Sequence, residues 1–346
     1  MEQLSLLEET AGDRSVPRGQ KIVDPVETDQ ELTTLAAGLN TRLRLGTSSW
    51  SFPGWAGLVY ASTTAKQTLS RDGLTAYSRH PLLRTVGVDS GFYAPLDARR
   101  LACYAEQVPP DFRFLVKAPA SITDRLGRTV DRRTDGRIPG AVTQPNPGFL
   151  DPELALEQAV LPYCEGLGDR AGVLLFQFPP LGPGITGHPR RFAEDLYRFL
   201  HRLPKGPIYA VELRDDALLT LDLAAALHHG GAVPALAGHP QLPLLDAQGA
   251  LFGEHNDGPL VIRWLLRRNR RYDEARQRYQ PFDRLEEPDP PTRQQVARLV
   301  GDALSQGREV FVIVNNKAEG SSPLTLIELA RLLANQTGDD GMSSGV

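Results

Sequence analysis

Eight short apolar runs, each carrying the β-branched or aromatic content of a strand, recur along the chain. They are RLRLGTSS (42–49), RTVGVDS (84–90), FRFLVKAP (112–119), AGVLLFQFP (171–179), PIYAVELR (207–214), GAVPALAG (231–238), PLVIRWLL (259–266) and EVFVIVNNK (309–317). Between most of them lies a pattern with the 3.6-residue apolar period of a helix, at 151–168, 188–204, 215–230, 291–307 and 322–336. The first opens on Asp151 as N-cap with Pro152 at the first helical position. Regular strand–helix alternation argues for a parallel sheet with right-handed crossovers, and eight units argue for closure into a single (β/α)8 TIM-type barrel. The sixth unit is irregular, because HPQLPLLDAQGALFGEH (239–255) makes a poor helix. A doubly wound open sheet is the alternative, but no strand is followed by G-x-G-x-x-G or a P-loop.

Charge divides the chain into segments. Residues 1–40 hold eight acids against three bases, a balance of −5 inside a total of −4. That stretch reads as an acidic, largely flexible extension with a short helix at 29–39, followed by a barrel domain over 41–336 and a disordered tail at 337–346. Cys103 and Cys164 form no CxxC and no Cys/His cluster, which indicates neither a disulfide framework nor a structural zinc site. No run approaches 18 apolar residues, and the first residues are acidic where a signal peptide is basic and then apolar. The expectation is a cytoplasmic protein without a membrane partner; oligomeric state is left open.

The fifth run, in the context YAVELRDD, ends in Glu212 and Arg214. A lone buried carboxylate costs several kcal/mol unless paired or wet, and in such a barrel the C-terminal strand ends form the mouth where active sites lie. Two residues apart, Glu212 and Arg214 point the same way. Other strands end similarly: Thr47 to Trp50, Asp89 to Tyr93, Lys117, Gln177, Arg263 and Trp264, and Asn315 to Lys317. The rim is basic, with five arginines and two aspartates over 125–137 and seven arginines and three acids over 267–284. The acidic EEPD at 286–289 offsets part of the second segment. Together these predict a shared pocket that attracts an anion.

The stretches LGTSSWSFPGW, TVGVDSGFY, FRFLVKAP, LLFQFPP, VELR and a late NN resemble, in order, the motifs of the YecE-like family, domain of unknown function 72, over about residues 43–335. The resemblance implies a TIM-like barrel and no established activity. Motif by motif it singles out Trp50, Tyr93, Lys117, Gln177, Glu212, Arg214 and Asn315. The second motif departs from the family's TVEINSTFY, with Gly87 and Asp89 in place of a glutamate and an asparagine.

The leading functional expectation is an enzyme acting on a small anionic substrate, phosphorylated or sugar-like, whether as hydrolase, lyase or isomerase. Glu212 would be the general acid or base, and Lys117 would polarise a carbonyl or form a Schiff base unless it merely pairs with Glu212 or Asp89. Arg263 would hold the anion bidentately. Trp50, Tyr93, Gln177, Arg214, Asn315 and Asn316 would line the site. Asp89 with Glu212 could also supply a glycosidase pair. A second class is nucleic-acid binding, with Tyr272, Tyr279 and the three tryptophans as stacking faces, although the chain as a whole is acidic and Trp264 reads as core. No cofactor is predicted. A divalent metal held by His239, His255, Asp89 and Glu212 is the weaker option, and a non-catalytic binding protein remains beside these.

Overall fold

The structure, a computed structural model, describes residues 22–127, 130–131, 136–137, 144–253 and 257–342. The eight runs form strands β1 (Leu43–Thr47), β2 (Leu83–Val88), β3 (Arg113–Lys117), β4 (Ala171–Gln177), β5 (Ile208–Glu212), β6 (Ala232–Gly238), β7 (Leu260–Trp264) and β8 (Val310–Val314). Each strand pairs in parallel with its neighbours in the chain and β8 closes on β1, so the sheet is a closed barrel ringed by helices. The open-sheet alternative is thereby excluded.

Alternation along each strand sorts the side chains into two layers. The outward residues join the helices in the main core. The inward ones form a separate apolar cluster inside the barrel, including Leu115, Val173, Leu175, Ala210, Val261 and Ile313. Nearer the mouth, the inward series continues at or just past the strand ends with Ser48, Asp89, Lys117, Gln177, Glu212, Ala237, Arg263 and Asn315. The barrel interior is apolar below and polar at one end.

The helix of the sixth unit is present at Leu245–Phe252, for a reason that periodicity does not carry. Pairing between β6 and β5 stops at Pro234, which leaves Ala237 without a strand partner on that side. The buried Gln248 side chain takes that place: its Oε1 accepts from Ala237 N–H and its Nε2 donates to the Ala237 and Pro243 carbonyls, all within 3.0 Å. A polar residue is therefore the anchor of this helix, where an apolar stripe anchors the others. In the helix after β3, Asp151 caps as expected by accepting from Glu153 and Leu154 N–H. A wide π-turn at Leu156–Val160 precedes Pro162, whose ring and missing N–H are incompatible with a regular ladder there.

Residues 22–40, read from charge as part of the extension, lie against the barrel. Val23 is buried, Val26 N–H donates to the Val59 carbonyl and Ala61 N–H to the Asp24 carbonyl, and the helix Gln30–Gly38 is capped by Asp29. Glu31 pairs with Arg331 at 3.0 Å on the last helix, which runs Ser322–Met342 and so continues beyond 336. Residues 1–21 lie outside the described residues.

Candidate functional site

At the mouth, Arg263 is the hub. It is 1% exposed; its Nη1 donates to Glu212 Oε2 at 2.9 Å and its Nη2 to both Asp89 oxygens at 3.0 and 3.1 Å. Burial alone would lower its pKa; Asp89 and Glu212 more than reverse this and keep the guanidinium charged. Glu212 is fully buried, and its second oxygen lies 2.6 Å from Arg214 Nη2, close but off the hydrogen-bonding axis. Burial pushes the Glu212 carboxyl up; Arg214, Arg263 and Lys117 outweigh it and hold its pKa below the ordinary carboxylate value.

These contacts change two expected roles. Arg263 cannot hold a ligand bidentately, because its fork is already spent on two internal carboxylates. Glu212 is a poor general acid or base, since it is ionised and both its oxygens face guanidinium groups. The same argument removes Glu212 as the carboxyl that keeps its proton in a glycosidase pair. Arg214 is the guanidinium with a free edge: its side chain is 16% exposed, and among the described residues Glu212 is its only ion-pair partner.

Lys117 makes no ion pair with Glu212 or Asp89 among the described residues, so the barrel-closing pair expected of it is formed by Arg263 instead. Its Nζ stands 3.6 Å from the centroid of the Phe92 ring. Burial, opposed by Asp89 and reinforced by Arg263, brings its pKa down to about 8. A second lysine, Lys317, is almost completely buried; its Nζ donates to Asn315 Oδ1 at 3.1 Å and lies over the Tyr272 ring. Burial, with Arg276 beside it, lowers its pKa to about 8 as well. Asn315 Nδ2 donates to Ser48 Oγ at 2.7 Å, which ties the ends of β8 and β1. Gln177 stands opposite Glu212 in the β4–β5 register, and Tyr93 is half exposed beside Phe92.

Two predicted site residues are elsewhere. Trp50 is buried in the outer core, where its indole N–H donates to the Leu69 carbonyl at 2.9 Å and its ring meets Tyr104 edge-on. Asn316 is 1% exposed and its Oδ1 accepts from Ser322 N and Oγ, so it caps the last helix. Sequence reasoning placed Lys317 and Phe92 among the strand-end residues but gave neither a role in the site. Both sit next to predicted positions, and period-two alternation from Asn315 already points to Lys317.

Within 267–284 the basic rim is partly neutralised by the acids that follow it. Glu287 accepts from Arg270 and Tyr279 and pairs with Arg278 and Arg267, and Arg284 is held by Glu286. The hydrogen bond from Arg270 is the main reason the Glu287 carboxyl titrates at about 2. Trp55 and Trp264 are at most 1% exposed and Trp50 is in the core, so no tryptophan offers a stacking face. Side chains of 128–143 and His255 lie outside the described residues. His239 borders the mouth; burial, aided by Arg214, lowers its pKa to about 4, and its Nδ1 accepts from Gln241 N–H. Among the described residues no three His, Cys, Asp or Glu side chains group as metal ligands, and no helix is long and apolar enough to cross a membrane.

The fold and site define a (β/α)8 barrel with a buried charged cluster at the C-terminal ends of its strands. Over residues 44–343 the sequence matches the family described as "Protein of unknown function DUF72", and the chain belongs to that family, the same one the YecE-like motifs indicate. Among solved structures, a DUF72 family protein from Enterococcus faecalis V583 aligns with a TM-score of 0.57 at 19% identity, covering 84% of this chain and 95% of its own. A DUF72 family protein from Thermotoga maritima MSB8 aligns with a TM-score of 0.54 at 21% identity, covering 84% and 98%. At these identities the likeness concerns the fold. No curated protein matches the sequence significantly.

The departure at Gly87 has a local cost attached. A Cβ there would lie 3.1 Å from Ser48 Cα, so a glutamate at 87 requires the end of β1 to shift. In this chain the nearby carboxylate is instead Asp89, two residues on, at the start of the turn that follows the strand.

Proposed function

We propose that the mouth binds a small anionic ligand, phosphorylated or carboxylated, and that the protein is an enzyme acting on it. The observation that carries this reading is the charge balance of the site. Lys117, Arg214, Arg263 and Lys317 face two carboxylates, Asp89 and Glu212, and the carboxylates are bound to guanidinium groups. With both lysines protonated, the buried site is short of two negative charges, and a bound anion supplies what the protein does not. Arg214 takes the anion through its free edge, Arg263 and Glu212 position Arg214, and Lys117 is the group placed to react. The three buried tryptophans offer no stacking face to unpaired bases, which favours the small-anion reading over nucleic acid.

The test is a thermal-shift series with inorganic phosphate, phosphorylated sugars and short single-stranded oligonucleotides, on the wild type and on Arg214→Met. A ligand at 100 times its Kd adds about 2.7 kcal/mol of apparent stability. Stabilisation by small phosphates that is lost in Arg214→Met supports the proposal. A response to oligonucleotides alone contradicts it.

A further inference from the structure

The chain has only five lysines, at 21, 66, 117, 205 and 317, and otherwise uses arginine for positive charge. Arginine stays protonated under any physiological condition and cannot act as a nucleophile; lysine can do so once it loses its proton. Within the mouth, the work of neutralising Glu212 and Asp89 is done by Arg263 and Arg214. Lys117 is therefore left without a carboxylate partner among the described residues, at the end of β3 and partly open to the mouth, with the Phe92 ring 3.6 Å from its Nζ. An amine so placed has no salt bridge to break before it reacts. The Phe92 ring beside it keeps water away while its face favours the ammonium, so the contact the amine gives up on reacting is this cation–π one rather than an ion pair.

Building on the reading of the mouth as an anion pocket, we propose that Lys117 forms an imine with a small carbonyl compound whose anionic group, carboxylate or phosphate, is held by Arg214. The Nζ lone pair attacks the carbonyl carbon and the C=O π pair moves to oxygen. A proton passes from nitrogen to that oxygen to give the carbinolamine. Protonation of its hydroxyl and loss of water then leave the iminium C=N. Starting from the ammonium, the sum is ammonium plus carbonyl giving iminium plus water, with no oxidant, reductant or net proton required. Titration near pH 8 keeps about a tenth of Lys117 as free amine at pH 7, enough to react while the remainder still attracts the anion.

The experiment is reductive trapping. Full-length protein is incubated with sodium cyanoborohydride and either pyruvate or dihydroxyacetone phosphate, and the adduct is located by peptide mass mapping. Inorganic phosphate and lactate, which lack a reactive carbonyl, are tested in parallel by thermal shift. The expected result is a reduced adduct at Lys117 with at least one of the two carbonyl compounds, the preferred one reporting whether the pocket takes a carboxylate or a phosphate. It should be absent in both Lys117→Met and Lys117→Arg, the latter keeping the charge, and formed at least tenfold more slowly in Arg214→Met at the same subsaturating concentration. Stabilisation by phosphate or lactate without any adduct overturns the imine and leaves the anion pocket standing. No stabilisation and no adduct overturns both. Adducts at Lys66, Lys205 or Lys317 to the same extent as at Lys117 also overturn it.

Discussion

Arg263 holds two carboxylates at once, and removing it has a consequence with a definite size. In Arg263→Leu, Glu212 stays fully buried and loses its hydrogen-bonded partner, keeping only the off-axis contact with Arg214. Breaking one side of a buried ion pair costs about 3–5 kcal/mol. For a domain of this size that corresponds to a fall in Tm of roughly 5–10 °C. Replacing both partners, Arg263→Leu with Glu212→Leu, removes the stranded charge and should return to within about 1–2 kcal/mol of the wild type. Arg214 and Asp89 are then unpaired, but both side chains reach water, at 16% and 37% exposure. The pH dependence separates charge from packing. In the wild type the Glu212 pKa lies below its unfolded value, so its contribution is present above that value and is lost as pH falls. In Arg263→Leu the pKa is raised, so the deficit is greatest at neutral pH and shrinks toward pH 5. Urea unfolding of the three proteins at pH 5 and pH 7.5 is the assay. A single variant that loses under 1 kcal/mol, or a double variant no more stable than the single, refutes the reasoning.

Three other expectations come from the same geometry. Because Lys117 titrates near 8 when folded and near 10.5 when unfolded, the unfolded state binds the extra proton between those values and wild-type stability should rise with pH across that window. Lys117→Met should therefore be more stable than the wild type at pH 7, by about 1–3 kcal/mol after loss of the Phe92 contact, with the gap closing toward pH 10; a constant gap in thermal melts would contradict this. Gln248→Ala strands the Ala237 N–H and C=O and should cost about 2–3 kcal/mol in urea unfolding, whereas a surface-like loss under 0.5 kcal/mol would show that the anchor is misassigned. Asn316→Ala uncaps the last helix and should cost about 1 kcal/mol while leaving phosphate binding unchanged; a loss of binding would return Asn316 to the site.

The barrel was legible because its signals are local and repeated: β-type runs, helical periods and strand ends obey spacing rules that a single sequence displays. Which polar residues share the mouth was legible too, since alternation alone puts Lys117, Glu212, Arg263 and Asn315 on the inward face. Their roles were not. Whether Arg263 meets a ligand or Asp89, 174 positions away, is a matter of tertiary distance. Trp50 shows the same limit, since it lies two positions after the inward Ser48 and the turn beyond the strand end redirects it, whereas Asn316, one position after Asn315, is turned away from the interior by alternation itself. Gln248 escaped notice because a glutamine that replaces a missing strand pairing looks, in sequence, like a break in an apolar stripe.

The most direct test of the account is calorimetric titration of inorganic phosphate into the wild type, Arg214→Met and Arg278→Met, the last a rim arginine held by Glu287. The account predicts one site per chain, weakened at least tenfold by Arg214→Met and untouched by Arg278→Met. Equal weakening in both variants, or binding that survives Arg214→Met, would place the anion on the rim and contradict the claim that the mouth is built to receive it.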